Sequence, residues 1–183
     1  MYTWIVFLDF LLLFVILFTA IVVVTAVAHI WADVPFIPTP KSVREEMLRL
    51  AALHGGEKIY DLGAGDARLL IAAKRAYPSI TAVGVEIVPT IWVLGKLRIW
   101  CSRQKVELLL RNALSQDVSD AGCIFLYLIP GLMKKLEKKF DAELTPGTRV
   151  ISYAFSFPSK KPLIEQSVRG LAGGKTKLRV YQW

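Results

Sequence analysis

The sequence predicts an α/β fold, in which a parallel sheet carries helices on both faces and is preceded by one apolar N-terminal helix. Three observations support this prediction. Strand-like and helix-like segments alternate after residue 41, most of the connections between them are short, and residues 10–28 contain no charged side chain. Alternation of this kind is typical of a doubly wound parallel sheet. A chain of 183 residues has room for one ordinary domain and an appendage.

The N-terminal segment is long and apolar enough to cross a bilayer. Asp9 is the only charged side chain within residues 2–28, and about 20 apolar residues in a helix span the hydrocarbon core. A cleaved signal peptide fits less well, because no basic region precedes the run and no small-residue cleavage site follows it. A buried helix of a soluble domain is the other alternative. Lys41, Arg44 and Arg49 follow the span, so we expect a single-pass membrane protein with its domain on the cytoplasmic side.

The domain organisation follows from the positions of prolines and caps. We expect a transmembrane anchor over residues 1–30, a proline-rich linker over 31–41 and one α/β domain over 42–183. The prolines of the linker disfavour a continuous helix. Ser42, followed three residues later by Glu45, matches a capping box. The sequence therefore predicts that the first helix of the domain begins at Ser42.

The elements of the domain are predicted from apolar spacing and from prolines that open helices. The predicted helices cover residues 42–54, 66–77, 89–103 and 132–144. The predicted strands cover residues 58–62, 81–87, 106–111, 122–129, 149–155 and 178–183. The final segments lack a helical pattern, so we expect them to close the sheet as an antiparallel hairpin.

A glycine-rich loop follows the first predicted strand, in the sequence YDLGAGDAR from Tyr60 to Arg68. Gly63 and Gly65, with Ala64 between them, allow a sharp turn and leave room for a ligand against the main chain. A loop that binds a dinucleotide pyrophosphate would have a third glycine where Arg68 stands. The loop therefore does not predict a dinucleotide site.

Two carboxylates accompany this loop. Asp61 would repel a phosphate and attract a cation, whereas Glu86, at the end of the next predicted strand, can accept the two hydroxyls of a ribose. A nucleoside that carries positive charge and no phosphate corresponds to S-adenosylmethionine. The carboxylates and glycines together therefore predict S-adenosylmethionine as the cofactor, although a Gly-x-Gly alone would fit any α/β turn.

The stretch from Tyr60 to Glu86 resembles the first two motifs of class I S-adenosylmethionine-dependent methyltransferases, which have a Rossmann-like sheet. The resemblance implies that Asp61 lies near the methionine amino group of the cofactor and that Glu86 binds the ribose. It also implies that Asn112, after the third predicted strand, contacts the adenine. Ala67 stands where the family commonly has a further glycine, and we expect little loss from so small a side chain.

Four segments, VPFIPTPKSVREEML, YDLGAGDAR, FLYLIP and VYQW, resemble a family of membrane-anchored protein lysine methyltransferases. Its eukaryotic members are mitochondrial enzymes that modify adenine nucleotide translocase and ATP synthase. The resemblance implies a methyltransferase domain that modifies a lysine of a membrane-associated protein, with that protein and the bilayer as partners. Two other functions stay open: methylation of a membrane-soluble quinone or lipid, and a non-catalytic scaffold that binds S-adenosylmethionine.

The methyl acceptor is expected beyond the carboxyl ends of the strands. The fourth predicted strand ends in FLYLIP, not in the Asn/Asp-Pro-Pro-aromatic sequence common in enzymes that methylate planar amides or adenine. Tyr127 in this segment is the candidate catalytic residue, because its ring can hold a sulfonium or ammonium and its hydroxyl can orient an amine; packing against a helix is the alternative. Thr39 of the linker can bond the methionine carboxylate of the cofactor, or the linker is a plain spacer.

Other kinds of site are not indicated. Cys101 and Cys123 show no metal-ligand spacing and no disulfide framework, so we expect no metal. The lysines within residues 134–139 predict a solvated helix face, or a face against anionic head groups. Despite a formal net charge of +8, a tethered domain without an aromatic–basic motif does not predict a nucleic-acid partner.

The acceptor lysine must lose a proton before it is methylated. Because a sulfonium and an apolar channel lower the pKa of a lysine amine, no dedicated base is required.

Overall fold

The computed structural model describes residues 2–32, 36–170 and 173–183. The helices are α1 (Tyr2–Ala32), α2 (Lys41–Ala51), α3 (Arg68–Ala76), α4 (Pro89–Ser102) and α5 (Pro130–Glu143), with a 3₁₀ turn at Ala113–Ser115. The strands are β1 (Lys58–Leu62), β2 (Thr81–Glu86), β3 (Val106–Leu110), β4 (Cys123–Leu126), β5 (Arg149–Tyr153), β6 (Ile164–Arg169) and β7 (Lys175–Gln182).

Within the described residues the strands form one sheet in the order β3-β2-β1-β4-β5-β7-β6. The first five strands pair in parallel, and β7 runs antiparallel between β5 and β6. The predicted parallel sheet and its closing antiparallel hairpin are confirmed. The strand order changes direction beside β1 and β4, and sheets of this kind bind ligands at the carboxyl ends of the strands near such a change.

The sheet is covered on both faces, as predicted. Ile59 and Phe125 join the apolar cluster that includes α2 and α3, whereas Tyr60 and Leu126 join the cluster that includes Phe140 of α5. Successive residues of a strand point to opposite faces, so each strand contributes to both clusters. α4 lies on the same face as α2 and α3, where it packs against β2 and β3.

The capping-box prediction is wrong. α2 begins at Lys41, Pro40 occupies the cap position and no side chain caps the helix. The backbone N–H of Arg44 donates to the Pro40 carbonyl at 3.0 Å, so the first turn closes before Ser42 can act as a cap. Glu45 instead pairs with Lys41 on the exposed side of the helix, at 3.7 Å.

The N-terminal helix α1 is longer than the predicted anchor and continues through the first two residues of the predicted linker. The side chains of residues 4–24 are all exposed. The segment Trp4–Val24 has the length and composition to cross a membrane. Residues 33–35 of the linker lie outside the described residues, and residues 36–40 form no regular secondary structure.

Candidate functional site

A cavity of about 530 Å³ opens at the carboxyl ends of β1, β2 and β4. Its volume lies within the roughly 300–1,000 Å³ that is typical of small-molecule sites. Every site residue proposed from the sequence lines this cavity: Thr39, Asp61, Gly63, Ala64, Gly65, Glu86, Asn112 and Tyr127. The fold therefore brings together residues that are up to 88 positions apart in the chain (127 minus 39).

The glycine loop needs glycine at two positions for reasons of both backbone and space. Gly63 and Gly65 have φ angles of +83° and +56°, a region that side chains disfavour. A Cβ at Gly63 would lie 2.7 Å from a methyl carbon of Leu128, and one at Gly65 would lie 2.7 Å from the ring of Phe36. The loop thus presents bare main chain to the cavity.

Ala67 also adopts a left-handed conformation, with φ +61°. This conformation costs a non-glycine residue about 1–2 kcal/mol. The Ala67 methyl group is fully buried in the core, and burial of one such group returns about 0.8 kcal/mol. About 0.2–1.2 kcal/mol of the conformational cost therefore remains.

Asp61 is a buried carboxylate with no partner. No side chain or backbone group in the described part of the chain donates a hydrogen bond to it or forms an ion pair with it. Burial, followed by the charges of Glu86 and Asp66, raises the pKa of Asp61 from 3.8 to about 7. A cation in the cavity would stabilise the ionised form, so this carboxylate fits a positively charged ligand group.

Glu86 is held in place by the main chain. One carboxylate oxygen accepts a hydrogen bond from the N–H of Gly65 at 2.8 Å. The other accepts from the N–H groups of Ile87 and Val88, at 2.9 Å and 2.8 Å. A carboxylate has about four acceptor sites, so about one remains for a ligand. The carboxylate therefore has room for one ribose hydroxyl, and acceptance of two requires that one backbone bond gives way.

Asn112 and Thr39 both line the cavity and have polar groups to spare. The Asn112 side-chain oxygen accepts from Leu114 N–H at 2.9 Å and caps the 3₁₀ turn, which leaves its amide N–H groups to donate. The Thr39 carbonyl accepts from the Arg44 guanidinium, which leaves the Thr39 hydroxyl available. Phe36, beside Thr39 in the cavity wall, covers the glycine loop, so the segment 36–40 forms a strap over the site.

Comparison with known proteins decides the family. The model of the ANTKMT methyltransferase domain matches residues 61–164. A protein-lysine N-methyltransferase of Saccharolobus islandicus is 32% identical over 131 residues, which cover 70% of this chain and 81% of that protein. The chain belongs to this methyltransferase family. It is a class I methyltransferase, and its cofactor is S-adenosylmethionine, as the sequence predicted.

Two further similarities place the methyltransferase among its relatives. The adenine nucleotide translocase lysine N-methyltransferase of Mus musculus is 30% identical over 133 residues, which cover 72% of this chain and 57% of that protein. The methyltransferase thus spans little more than half the length of this relative. The crystal structure of an RNA methyltransferase from Salinibacter ruber, in complex with S-adenosyl-L-homocysteine, superposes with a TM-score of 0.74 at 30% identity, covering 80% of this chain and 93% of that one.

The methyltransferase has an aromatic wall where the cavity continues beyond β4. The Tyr127 ring lies 4.5 Å from that of Tyr153 and is stacked on that of Phe155 at 6.5 Å, measured between ring centroids. Burial raises the pKa of the Tyr127 hydroxyl, so it keeps its proton at neutral pH. The Tyr127 ring packs against these aromatic neighbours and also lines the cavity, and its catalytic role stays a prediction.

A charged cluster fixes the glycine loop against α4. Arg68 donates two hydrogen bonds to the Asp66 carboxylate, and an Arg98 nitrogen of α4 lies 3.0 Å from the same group. Burial raises the pKa of Asp66, but the hydrogen bonds from Arg68 and the charges of both arginines outweigh it and hold this pKa below its ordinary value. The Asp66 carboxylate therefore stays ionised as a structural anchor.

Sequence reasoning missed most of the apolar lining of the cavity. These residues include Phe36, Ile37, Ile87, Leu128, Ile129 and Phe155. Phe36 and Ile37 lie in the predicted linker, and Ile87 and Leu128 directly follow the predicted site residues Glu86 and Tyr127, whereas Ile129 and Phe155 have no such neighbour. Among residues 2–32, 36–170 and 173–183, no group of three His, Cys, Asp or Glu side chains has the arrangement of a metal site.

Proposed function

We propose that this methyltransferase modifies a lysine side chain of a membrane-associated protein. The observation that carries the proposal is the contrast within the cavity between the unpaired Asp61 carboxylate on the cofactor side and the aromatic wall at Tyr127 on the acceptor side. Two relatives that are named as lysine N-methyltransferases support the proposal. In S-adenosylmethionine the cofactor supplies a methyl group bound to a positively charged sulfur.

In this proposal the cofactor-binding residues act through the groups that the fold leaves free. Asp61 accepts the methionine ammonium, and Glu86 accepts a ribose hydroxyl with its remaining acceptor site. Asn112 donates its amide to the adenine, while the Thr39 hydroxyl reaches the methionine carboxylate. Gly63–Gly65 provide a close main-chain surface. The charge of Asp61 and the exclusion of water by the strap hold the cofactor in one orientation.

The acceptor side prepares an amine for attack. A lysine has a pKa of about 10.4, so it must lose a proton before its nitrogen could accept the methyl group that bound S-adenosylmethionine would supply. Neighbouring positive charge and an apolar wall both lower the pKa of that lysine, and water can take the proton. Tyr127 positions the amine with its ring, and its hydroxyl, which keeps its proton, plays the smaller part. It is the residue we propose as catalytic.

The membrane part of the proposal rests on α1. We propose that residues 1–30 anchor a methyltransferase domain, residues 42–183, through a linker at 31–41, and that the domain lies on the cytoplasmic side. The support is the exposed apolar segment Trp4–Val24 and the basic residues that follow it. Tethering raises the effective concentration of a membrane-bound substrate near the site.

The likeness to an RNA methyltransferase and the net charge of +8 favour RNA as a second candidate acceptor. Membranes that contain the full-length protein, incubated with radiolabelled S-adenosylmethionine, separate the candidates when protein, lipid and RNA fractions are counted. We expect the label in protein, as methyl-lysine after hydrolysis, and its loss in the isosteric variant Asp61→Asn. Label in the lipid or RNA fraction, with none on lysine, would overturn the proposal.

A further inference from the structure

Helix α4 has an apolar face on the side away from the sheet. On its inner side Gly95 is buried, and Trp92 and Ile99 pack against the core. On its outer side Leu97 is 56% exposed and Trp100 is 79% exposed. Val93 and Leu94 beside them are also exposed. Contiguous exposed apolar side chains of this size mark an interaction surface.

The outer side has the arrangement of a helix that lies in a membrane interface. At about 100° per residue, Trp100, Val93, Leu97, Cys101 and Leu94 occupy an arc of about 120°. Lys96 lies about 40° beyond one edge of this arc, and Arg98, which also pairs with Asp66, lies about 40° beyond the other. We call the five residues of the arc, from Val93 to Cys101, the α4 outer face; it excludes the two flanking cations. An apolar arc bordered on both sides by cations is typical of helices that lie at the boundary between head groups and acyl chains.

Helix α4 contacts α1, the helix that contains the segment Trp4–Val24 that we propose to cross the bilayer. We infer that this face is inserted into the interface of the same bilayer that α1 crosses, on the cytoplasmic side. The inference rests on the membrane association in the proposed function and goes beyond it, since a tether alone leaves the domain free to rotate. A second surface contact fixes the orientation of the domain.

Insertion of α4 would also fix the height of the site. A Cβ at Gly95 would lie 3.1 Å from the Gly65 carbonyl oxygen, so the inner side of α4 touches the glycine loop directly. Arg98 joins the same loop through Asp66. α4 begins at the cavity, where Ile87 and Ile91 form part of the wall. The cavity is thus held at the level of the cytoplasmic head groups. This position selects lysines next to the cytoplasmic ends of transmembrane segments.

The lysines of α5 cannot share this contact. α4 and α5 pack on opposite faces of the sheet, so a bilayer that receives one of them leaves the other in water. Lys134 and Lys138 of α5 are exposed. This geometry turns the head-group alternative for the lysine helix into a control, because only one of the two helices can contact the same flat membrane.

The natural cysteines allow a direct test. Cys101 belongs to the α4 outer face and is exposed, whereas Cys123 is buried in the core. A nitroxide label on the full chain therefore reports on Cys101, and the variant Cys101→Ser checks that Cys123 takes no label. The protein is reconstituted into phosphatidylcholine–phosphatidylglycerol vesicles, and collisions of the label with oxygen and with a water-soluble nickel chelate are measured. The matched control carries Cys101→Ser with Lys134→Cys.

We expect collisions with oxygen to dominate at Cys101, at a depth of about 5–10 Å, and collisions with nickel to dominate at Lys134→Cys. Equal nickel access at both positions would overturn the inference. A label at Cys101 that is shielded from both reagents and broadened by a second label would also overturn it, because a second copy of the chain would then cover the face.

A second variant measures the consequence for the reaction. Leu97→Asn with Trp100→Gln changes two exposed side chains outside the cavity. We expect about a tenfold slower methylation of a membrane-embedded lysine and an unchanged rate on a soluble peptide. Lys134→Gln with Lys138→Gln should change neither rate. If the α4 variant methylated the embedded lysine as fast as the unchanged protein does, or lost the same factor on both substrates, the inference would be overturned. Vesicles in which Cys101 is inserted but no lysine is methylated would contradict only the proposed function.

Discussion

Asp61 is expected to make cofactor binding depend on pH. Because its pKa is about 7 when the cavity holds no cation, only about 3% of the carboxylate is ionised at pH 5.5, against about half at pH 7.0. If the ionised form binds the methionine ammonium, affinity should rise about fifteenfold between these pH values. The range ends at pH 7 because an α-amino group loses its own proton above about 7.7.

Isothermal titration of the full chain in detergent with S-adenosylmethionine measures this dependence. The variant Asp61→Asn should bind more weakly, and its affinity should not change over the same pH range. Glu107→Gln, an exposed carboxylate outside the cavity, should behave as the unchanged protein does. A flat profile for the unchanged protein, with the fold intact by circular dichroism, would refute the role of Asp61 as the partner of a cation.

The same pKa predicts a cost in stability. The folded state holds the Asp61 proton more tightly than the unfolded state, so the Asp61 contribution to stability is greatest below pH 4 and falls as the pH rises from 4 to 7. The difference between 3.8 and about 7 corresponds to about 4 kcal/mol. A buried amide without partners costs about 1–3 kcal/mol. Asp61→Asn should therefore raise the unfolding temperature by about 5 °C at pH 8 and by less at pH 5; an equal effect at both would contradict the assignment.

Three further predictions concern the loop, the aromatic wall and the anchor. Gly65→Ala should weaken cofactor binding at least tenfold, measured by calorimetric titration, because the added methyl group displaces Phe36. The control Gly147→Ala, at a glycine with φ +99° and open space around it, should leave affinity unchanged. Equal losses of affinity in the two variants would show that the contact between Phe36 and the glycine loop does not matter. Tyr127→Phe should keep most of kcat on a target peptide, and Tyr127→Leu should lose about 3- to 30-fold with the ring; equal rates for both would remove the ring from the mechanism. Deletion of residues 1–30 should leave affinity for S-adenosylmethionine intact and slow methylation of an embedded target about a hundredfold, and loss of cofactor binding would instead make α1 part of the folded core.

The parts of the fold that depend on local pattern were predictable from the sequence. β1 and the loop from Gly63 to Gly65 were placed correctly, because a buried apolar strand followed by two glycines has few other structures. The convergence of Asp61 and Glu86 followed from the rule that parallel strands end at one edge of the sheet. Asp61 and Glu86 also lie at the ends of β1 and β2, the two strands next to the glycine loop, so their places followed from the predicted strands.

Three features of the backbone and its contacts were not predicted from the sequence. Ser42 looks like a cap, but the Pro40 carbonyl accepts the bond that starts the helix. The position of Phe36 over Gly65 depends on how a linker folds back over the domain, which no local pattern encodes. The Glu86 carboxylate was expected to be free for a ribose, yet three backbone N–H groups already hold it.

The α4 outer face lies between these two cases. The sequence of the whole helix α4, PTIWVLGKLRIWCS, is apolar on nearly every side. Such a pattern indicates either complete burial or contact with a membrane, and the two can be distinguished only when the position of the helix on the sheet is known. The exposed Trp100 and buried Gly95 decide in favour of two apolar faces with different partners.

A map of transferred methyl groups shows directly whether this methyltransferase modifies lysines of membrane proteins. Membranes that contain the full-length methyltransferase are incubated with S-adenosylmethionine carrying a trideuterated methyl group, and the digested proteins are analysed by mass spectrometry, with Asp61→Asn as the matched control. We expect trideuterated lysine next to the cytoplasmic end of a transmembrane segment, absent from the control. Deuterium confined to soluble proteins, to lipid or to RNA would contradict it.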